Sequence, residues 1–396
     1  MAKKLVSAPI AGDIIVDQLV LTEDQELLSK TALDYVQANS PTSRIRELRD
    51  SGDPAAFSRP LWQEMAELGW VGILIPEDHG GAGMGLADLA VVLEALGRNL
   101  APEPFLSTVL LSGQLLSRTG SEDQKQTWLP GIAAGEKIVS VAYQEARSRY
   151  DLNRVTTQAE AEGEAWRISG EKIQVLDGYA TDALIVSART AGEPNDPDGI
   201  SLFLIPKDAP GVTITPQTRV DSRAVALVAL DGVKVGADSM IGTQGAGYAA
   251  LSEVVDLATV GLCAEMLGGM EKIFEDTLEY LKTRDQFGVL IGTFQGLKHR
   301  AARLFMDIEL ARSTVMAAAR AADAGDAESQ TLISLAKARC SDTFVLATNE
   351  GVQMHGGIGM TDEHDSGFYM KRARVAEMTF GDAAWHRERW ARLREY

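Results

Sequence analysis

Residues 284–288 and 294–295, Arg284-Asp285-Gln286-Phe287-Gly288 and Phe294-Gln295, interrupt a long helical pattern. Upstream of them, apolar residues recur mostly every three or four positions, which predicts one buried face of a helix. These residues are Leu262, Met266, Leu267, Met270, Ile273, Phe274, Leu278 and Leu281. The pattern halts at Gly288 and resumes around Thr293. A guanidinium donates paired charge-assisted hydrogen bonds to phosphate, and an aromatic side chain covers a flat ring. The break therefore suits an anionic, ring-bearing ligand, and a solvated arginine at a helix end is the alternative.

A second segment, Gln353-Met354-His355-Gly356-Gly357-Ile358-Gly359, follows another helical run over residues 341–350. Its three glycines allow the backbone to approach a ligand closely, and free amides at such a place can hold phosphate. No apolar strand precedes the segment, so it is not the strand–turn–helix fingerprint of dinucleotide binding. His355 has two interpretations, a hydrogen bond to a cofactor or the filling of a turn.

These two segments together resemble the acyl-CoA dehydrogenase family. That family has arginine-x-x-phenylalanine-glycine followed by phenylalanine-glutamine, and then glutamine-x-x-glycine-glycine-x-glycine downstream. The resemblance implies that the segments bind the pyrophosphate and adenine of FAD, partly across a subunit interface. The cofactor-binding residues it implies here are Arg284, Gln286, Phe287, Gln295, Gln353, Met354, His355, Gly356 and Gly357.

Composition bounds the class of protein. The chain has 396 residues, of which 45% are hydrophobic, so we expect a globular protein of two or three domains. The formal charge of -18 argues against nucleic acid as a partner and fits a cytoplasmic protein. No apolar run reaches membrane-spanning length, so no membrane insertion is expected. The five histidines lack ligand spacing, which predicts no metal site. Cys263 and Cys340 lie in apolar helical runs, which favours two buried thiols over a disulfide.

The order of patterns along the chain predicts an α+β protein. We expect an N-terminal helical domain at 1–137, a middle β-barrel-like domain at 138–245 and a C-terminal four-helix bundle at 246–396. The same order is found in the acyl-CoA dehydrogenase fold. Strands are predicted at 139–143, 166–169, 183–188, 201–205, 212–215 and 224–228, with turns between them such as Asp231-Gly232. Thr22 with Gln25 predicts a capping box at the first helix.

The middle domain departs from the family pattern. Gln144 stands where the family has a threonine that faces the flavin, and Gln174 and Leu176 replace a tryptophan and a threonine that line it. Leu176 cannot donate a side-chain hydrogen bond. Arg149 and Tyr150 replace a glycine–serine pair near the acyl-CoA. These changes predict an unusual pocket, with Gln144 and Leu176 toward the cofactor and Arg149 and Tyr150 toward the substrate.

The catalytic base is the second departure. Removing an α-proton from an acyl thioester needs a positioned base, which is a glutamate in the family. Gly381 stands where most members have it, and Ala258 stands where a minority have it. Asp382, one residue away, is the first candidate for a replacement, and its alternative role is to cap the terminal helix. Glu253 and Asp256 are the next candidates.

Three functions follow from the resemblance. The first is an FAD-dependent acyl-CoA dehydrogenase with its own base, which desaturates an acyl-CoA between the α and β carbons by proton abstraction and hydride transfer to FAD. The second is a subunit without the base in a heteromeric dehydrogenase. The third is a different flavin oxidation on the same fold, and a nonenzymatic binding protein is a more distant alternative. The implied partners are an electron-transfer flavoprotein or similar acceptor, and one or three further subunits, identical or homologous, in a dimer or tetramer.

Overall fold

The computed structural model describes residues 19–396, so the first part of the predicted N-terminal domain lies outside the described residues. The described chain begins with a helical domain. Its helices are α1 (Glu23–Asn39), α2 (Ser43–Ser51), α3 (Arg59–Glu67), α4 (Leu86–Arg98), a π-helix (Phe105–Gly113), α5 (Gln114–Thr119) and α6 (Glu122–Ala133). The predicted capping box is confirmed, because Thr22 Oγ1 accepts from the Gln25 amide at 3.2 Å and the Gln25 side chain accepts from the Thr22 amide.

The middle domain is one eight-stranded sheet. Its strands are β1 (Val139–Ala142), β2 (Gln158–Glu162), β3 (Ala165–Leu176), β4 (Ala183–Arg189), β5 (Ile200–Pro206), β6 (Val212–Thr218), β7 (Ala224–Gly236) and β8 (Met240–Ile241). They are ordered β6-β7-β3-β2-β4-β5-β8, and β1 pairs with β4 in parallel. In register, Val141 lies opposite Ile185 and Ile168 opposite Val233.

Two details of the strand prediction are wrong. The strand β2 was not predicted, because glutamates and alanines give it little apolar signal and only Ala159 is buried. Asp231-Gly232, predicted as a turn between strands, lies inside β7. Ile168 pairs with Val233 but Gly170 pairs with Leu230, so two residues on β7 face one on β3. The Asp231-Gly232 pair is therefore taken up in a bulge rather than a turn.

The C-terminal domain is helical, as predicted. It contains α7 (Gly247–Thr283), α8 (Gln295–Asp323), α9 (Ser329–His355), α10 (Ser366–Met378) and α11 (Ala383–Leu393). The break after α7 is a small hairpin, β9 (Asp285–Gln286) and β10 (Val289–Leu290), turned by Phe287 and Gly288 at φ +58° and +75°. Cys263 on α7 and Cys340 on α9 are buried and unbonded, as predicted. Within residues 19–396, no helix has the length and apolar character needed to cross a bilayer.

A buried network of charges joins the domains. Arg372 of α10 donates to Glu265 of α7 at 2.7 Å and to Asp221, in the loop before β7, at 3.0 Å. Arg223 of the same loop donates to Glu265 at 2.7 Å. Buried charges are stable only when partners engage their hydrogen-bonding groups, so this network fixes the sheet against α7 and α10. The cavities described next lie at that junction.

Candidate active site

Two cavities meet where the sheet faces the C-terminal helices. We call the one of about 610 Å³ the cleft and the one of about 470 Å³ the ring cavity. They share a wall made by Tyr143, Gln144, Arg149, Tyr150 and Phe380. The shared wall means that ligands in the two spaces would be neighbours, as a cofactor and its substrate must be.

The ring cavity contains the residues that the sequence placed beside a flavin. Gln144, Gln174 and Leu176 all line it. Leu176, Phe380 and aliphatic side chains of α10 give it apolar surface, while the two glutamines bring amide groups to its edge. Apolar walls with a few polar groups are what a flat heteroaromatic ring with a polar rim requires. Gln144 uses its amide nitrogen to donate to the Arg149 carbonyl at 3.0 Å.

Three residues that line the ring cavity have left-handed backbone. The φ angles are +47° at Arg149, +52° at Gln174 and +61° at Phe380. A side chain in this region costs about 1 kcal/mol or more, and such residues cluster at functional sites. Arg149 stands where the family has glycine. This chain therefore has a side chain at a position whose backbone conformation favours glycine.

The cleft is aromatic and polar. Its lining includes Tyr143, Tyr150, Leu152, Asn153, Asn195, Tyr248, Ser252, Val255, Asp256, Phe380, Trp385, His386, Arg389 and Arg392. Asp256, a candidate base in the sequence, accepts two hydrogen bonds of 2.6 Å from Arg389. Burial raises the pKa of the Asp256 carboxyl, and Arg389 opposes that effect. Both oxygens of Asp256 are therefore committed to Arg389.

Asp382 begins α11. Its Oδ1 accepts from the Trp385 amide at 2.8 Å, so the alternative role given by the sequence, a helix cap, is present. Its Oδ2 accepts from Arg149 Nη2 at 3.0 Å and from the Tyr150 hydroxyl at 3.4 Å. Burial acts to raise the pKa of Asp382, but the Trp385 amide and Arg149 outweigh it and lower the pKa below its ordinary value. A carboxylate in these contacts is a weakened base.

The two places that carry glutamate in the family are both buried or crowded here. Gly381 has φ +115°, and a Cβ on it would lie 2.7 Å from the Trp385 ring and 2.7 Å from the His386 ring. A glutamate at position 381 would therefore need its neighbours to move. Ala258 has no exposed surface in the interior of α7.

The sequence missed the residues that hold this region. We call residues 379–382, between α10 and α11, the connector. Lys337 is buried beneath it, and His386 packs against it. A lysine on a helix is usually solvated, so the pattern gave no signal for Lys337. His386 is also buried, although it stands beside Arg387, Glu388 and Arg389 in the sequence.

The two segments that carry the family motif lie together at the end of α7 and α9. The rings of Tyr280 and His355 are 4.5 Å apart, and Met354 packs with Leu281 and Ile291. The remaining predicted cofactor residues are exposed: Arg284, Gln286, Phe287, Gln295, Gln353, Gly356 and Gly357. In the described chain, none of the motif residues lines the cleft or the ring cavity.

Met354 and His355 are placed differently from the rest of the motif. Both side chains are buried. His355 Nδ1 lies 2.6 Å from the Gly351 carbonyl, and its ring contacts those of Tyr280 and His364. Burial lowers the pKa of His355, so the ring is neutral at pH 7. Within this chain, both side chains pack the end of α9 beneath the exposed motif residues.

Three family models match successive parts of the chain. They describe the N-terminal, middle and C-terminal domains of acyl-CoA dehydrogenase and match residues 22–136, 140–233 and 245–393. Acyl-CoA dehydrogenase FadE12 of Mycobacterium tuberculosis is 31% identical over 327 residues, which are 80% of this chain and 83% of that protein.

Solved structures are also similar to the chain. A chain of the ChsE4–ChsE5 complex from Mycobacterium tuberculosis is 28% identical with a TM-score of 0.85, over 94% of this chain and 98% of that chain. A chain of a variant of the Tcur3481–Tcur3483 steroid ACAD is 29% identical with a TM-score of 0.83, over 94% of this chain and 98% of that chain.

Proposed function

The chain belongs to the acyl-CoA dehydrogenase family, whose members are flavin-dependent oxidoreductases, and we propose that it is the base-lacking subunit of a heteromeric member. The assembly would desaturate an acyl-CoA thioester between its α and β carbons. This chain supplies the ring cavity, the cleft and a set of exposed FAD contacts, and a homologous chain supplies the glutamate.

The observation that carries this proposal is the closed environment of the base position. Gly381 and Ala258 occupy the two places where the family carries glutamate; a side chain at 381 has no space, and Ala258 is fully buried. The nearest carboxylate, Asp382, has both oxygens engaged by Trp385 and by Arg149 with Tyr150. Two similar solved chains come from structures that name two proteins, ChsE4–ChsE5 and Tcur3481–Tcur3483.

The residues of the ring cavity fit a flavin. Bound FAD would supply the acceptor for the hydride that leaves the substrate. Leu176 and Phe380 would cover the faces of its ring, and Gln174 would donate an amide hydrogen bond to the ring edge. The cleft would hold the thioester beside the shared wall and exclude water from it. Electron-transfer flavoprotein, or a similar carrier, would then reoxidise the assembly.

The hairpin after α7 supports an assembly. Phe287 at its tip is 90% exposed, and Val289, Leu290 and Phe294 beside it are exposed to at least 40%. Arg284 and Gln353 flank this apolar tip with polar groups. An exposed apolar patch with a polar rim is typical of an interface. We expect a dimer or tetramer, measured by light scattering, and a monomer that holds FAD stoichiometrically would contradict this.

The acyl group that we propose is bulky and ring-bearing. The cleft, of about 610 Å³, is bordered by five aromatic side chains, Tyr143, Tyr150, Tyr248, Phe380 and Trp385. Rings pack well on aromatic walls, whereas Asn153, Asn195 and Ser252 can bind oxygen substituents. One similar structure is named a steroid ACAD.

The test is turnover by defined assemblies. The chain is purified alone and together with a homologous chain that carries glutamate at either family position. Each preparation is assayed with octanoyl-CoA and with the CoA thioester of a steroid side-chain acid, using an artificial electron acceptor. We expect turnover only from the mixed assembly. Absence of turnover from every mixed assembly, each with FAD bound, would contradict the proposal.

A second candidate is a homomeric enzyme with Asp382 as its base. One observation favours it: Arg149 and Tyr150, which contact Asp382, line both cavities. A movement of Arg149 would free the Oδ2 atom toward the shared wall. Turnover by the chain alone would support this candidate, and oxygen consumption without an added acceptor would instead indicate an oxidase.

A further inference from the structure

Lys337 has an unusual environment for a lysine. Its side chain lies on α9 with no exposed surface, and within residues 19–396 it forms no ion pair with a carboxylate. Its ammonium group donates to Ser341 Oγ at 3.1 Å, to the Glu377 carbonyl at 3.0 Å and to the Gly381 carbonyl at 2.7 Å. All three ammonium donors are therefore used, which is the condition for burying such a group.

Two of these acceptors come from the end of α10 and from the connector itself. Glu377 is in the last turn of α10, where carbonyl groups lack helical partners and the helix dipole favours a cation. Gly381 immediately precedes Asp382, the N-cap of α11. A single buried cation thus binds the end of one helix and the entry to the next. The distance between the two helices is set by contacts to one atom.

The backbone between these contacts needs such support. Phe380 and Gly381 have φ angles of +61° and +115°, so a non-glycine residue is held in the left-handed region. The His386 ring adds one contact, with Nε2 at 3.1 Å from the Phe380 carbonyl. The Phe380 side chain held in this way lies in the wall shared by the cleft and the ring cavity.

We infer that Lys337 is a positioning residue for the shared wall: it fixes the connector and thereby sets where Phe380 meets a bound flavin. Burial lowers the pKa of Lys337 to about 8, so the ammonium form that makes these contacts predominates at pH 7. The inference rests on the proposed function only in requiring that FAD occupies the ring cavity. It does not depend on whether the base comes from this chain or from a partner.

The experiment replaces the ammonium group and follows the wall directly. Lys337→Met keeps an unbranched side chain as far as Cε but removes all three donors, and Lys337→Gln keeps an amide donor. Arg339→Met is the matched control, because Arg339 is on the same helix, is partly exposed and pairs with Asp307 at 3.4 Å. Two properties are measured in the purified holoprotein: amide hydrogen exchange of a peptide spanning 379–386, and the visible absorption of the flavin per bound FAD.

We expect exchange in that peptide to be roughly 10- to 100-fold faster in Lys337→Met, since the charge-assisted hydrogen bonds to the connector at Gly381 and to the end of α10 at Glu377 are lost. The flavin band should shift, Lys337→Gln should give a smaller change in both properties, and Arg339→Met should match the wild type. An unchanged flavin band and unchanged exchange in Lys337→Met would overturn the inference. Failure of both Lys337 variants to fold, with Arg339→Met folded, would also overturn it, because Lys337 would then support the whole bundle.

These readouts separate the two proposals. A wild-type assembly that holds FAD but desaturates no acyl-CoA would contradict the proposed function and leave the exchange and absorption results intact. A merely structural lysine would lower the yield of folded protein without moving the flavin band of the molecules that fold.

Discussion

The hairpin after α7 and the connector before α11 differ in how their contacts are completed. The hairpin keeps the family sequence, yet its tip residue Phe287 is 90% exposed and Arg284 is exposed beside it. The connector departs from the family sequence, yet its carbonyls are bound by Lys337 and His386. The hairpin, which matches the family motif, leaves its side chains exposed. The connector, which lacks the expected glutamate, has its carbonyl groups bound by side chains of this chain.

This difference indicates where a partner is needed. Exposed aromatic and guanidinium groups gain the most favourable contacts when a ligand or subunit covers them. A connector whose carbonyls are already bound by buried side chains gains nothing from a partner and has no free carboxylate to offer. This contrast supports the proposal that the chain shares a cofactor site and receives its base from a homologous partner.

The largest expected effect on stability comes from the two glycines of these regions. Gly381→Ala combines a left-handed backbone with a Cβ 2.7 Å from two rings, whereas Gly288→Ala has φ +75° and open space. We expect Gly381→Ala to lower the free energy of unfolding by about 2–4 kcal/mol, from overpacking added to the backbone cost. Gly288→Ala should cost about 1–2 kcal/mol, from the backbone alone.

Urea unfolding of both variants measures these values. Equal losses would mean that the rings of Trp385 and His386 yield readily, so that the connector is not closed. A Gly381→Glu variant should show no gain in turnover as an isolated chain, because the added side chain has no space.

The next effect concerns the open region. Arg284→Ala should leave the fold intact and weaken FAD binding by roughly 10- to 150-fold, the worth of a charge-assisted contact of about 1.5–3 kcal/mol. FAD retained after gel filtration is the measurement. Lys282→Ala, two residues upstream and also exposed, is the control that leaves the predicted pyrophosphate contact in place. Full flavin occupancy in Arg284→Ala would remove Arg284 from the site.

A graded effect should appear with pH, of about 1.4 kcal/mol for the first unit below pH 6.5. Burial, together with the nearby Lys337 ammonium, lowers the pKa of His386 from 6.5 to about 3. In the unfolded chain His386 therefore binds a proton below about pH 6.5, whereas in the folded chain it binds one only below about pH 3. Above pH 6.5, His386 does not lower the free energy of unfolding. As pH falls below 6.5, proton binding to the unfolded chain should lower that free energy by about 1.4 kcal/mol per unit. His386→Gln should flatten that slope in urea unfolding, and the exposed His299→Gln should not.

Much of the fold was predictable because its signals are local. The apolar spacing of α7, the capping residues Thr22 and Gln25 and the strand patterns need only neighbouring residues. The strand β2 was missed because its glutamates and alanines give no apolar alternation. Lys337 was missed for a different reason. Two of its three acceptors, the carbonyls of Glu377 and Gly381, are 40 or more residues away in sequence. Long-range contacts of this kind decide whether a charged residue is buried, and no local pattern encodes them.

The candidate site also combines residues that the sequence indicated with contacts that it did not. Gln144, Arg149 and Tyr150 line both cavities, and Leu176 lines the ring cavity; their roles toward cofactor and substrate stay predictions. The contacts that engage Asp382 come from the loop after β1 and from the first turn of α11, and the sequence indicated only the helix cap.

The central claim is that this chain supplies no base, and Asp382→Asn tests it most directly. Asparagine keeps the size and the oxygen that caps α11, so the fold and FAD content should be unchanged. The measurement is turnover of the assembled holoenzyme on its acyl-CoA substrate. We predict a change of less than about twofold, whereas replacing the partner's glutamate by glutamine should abolish turnover. A fall of roughly 10²- to 10⁴-fold in Asp382→Asn, the usual worth of a positioned base, would contradict the account and make Asp382 the base.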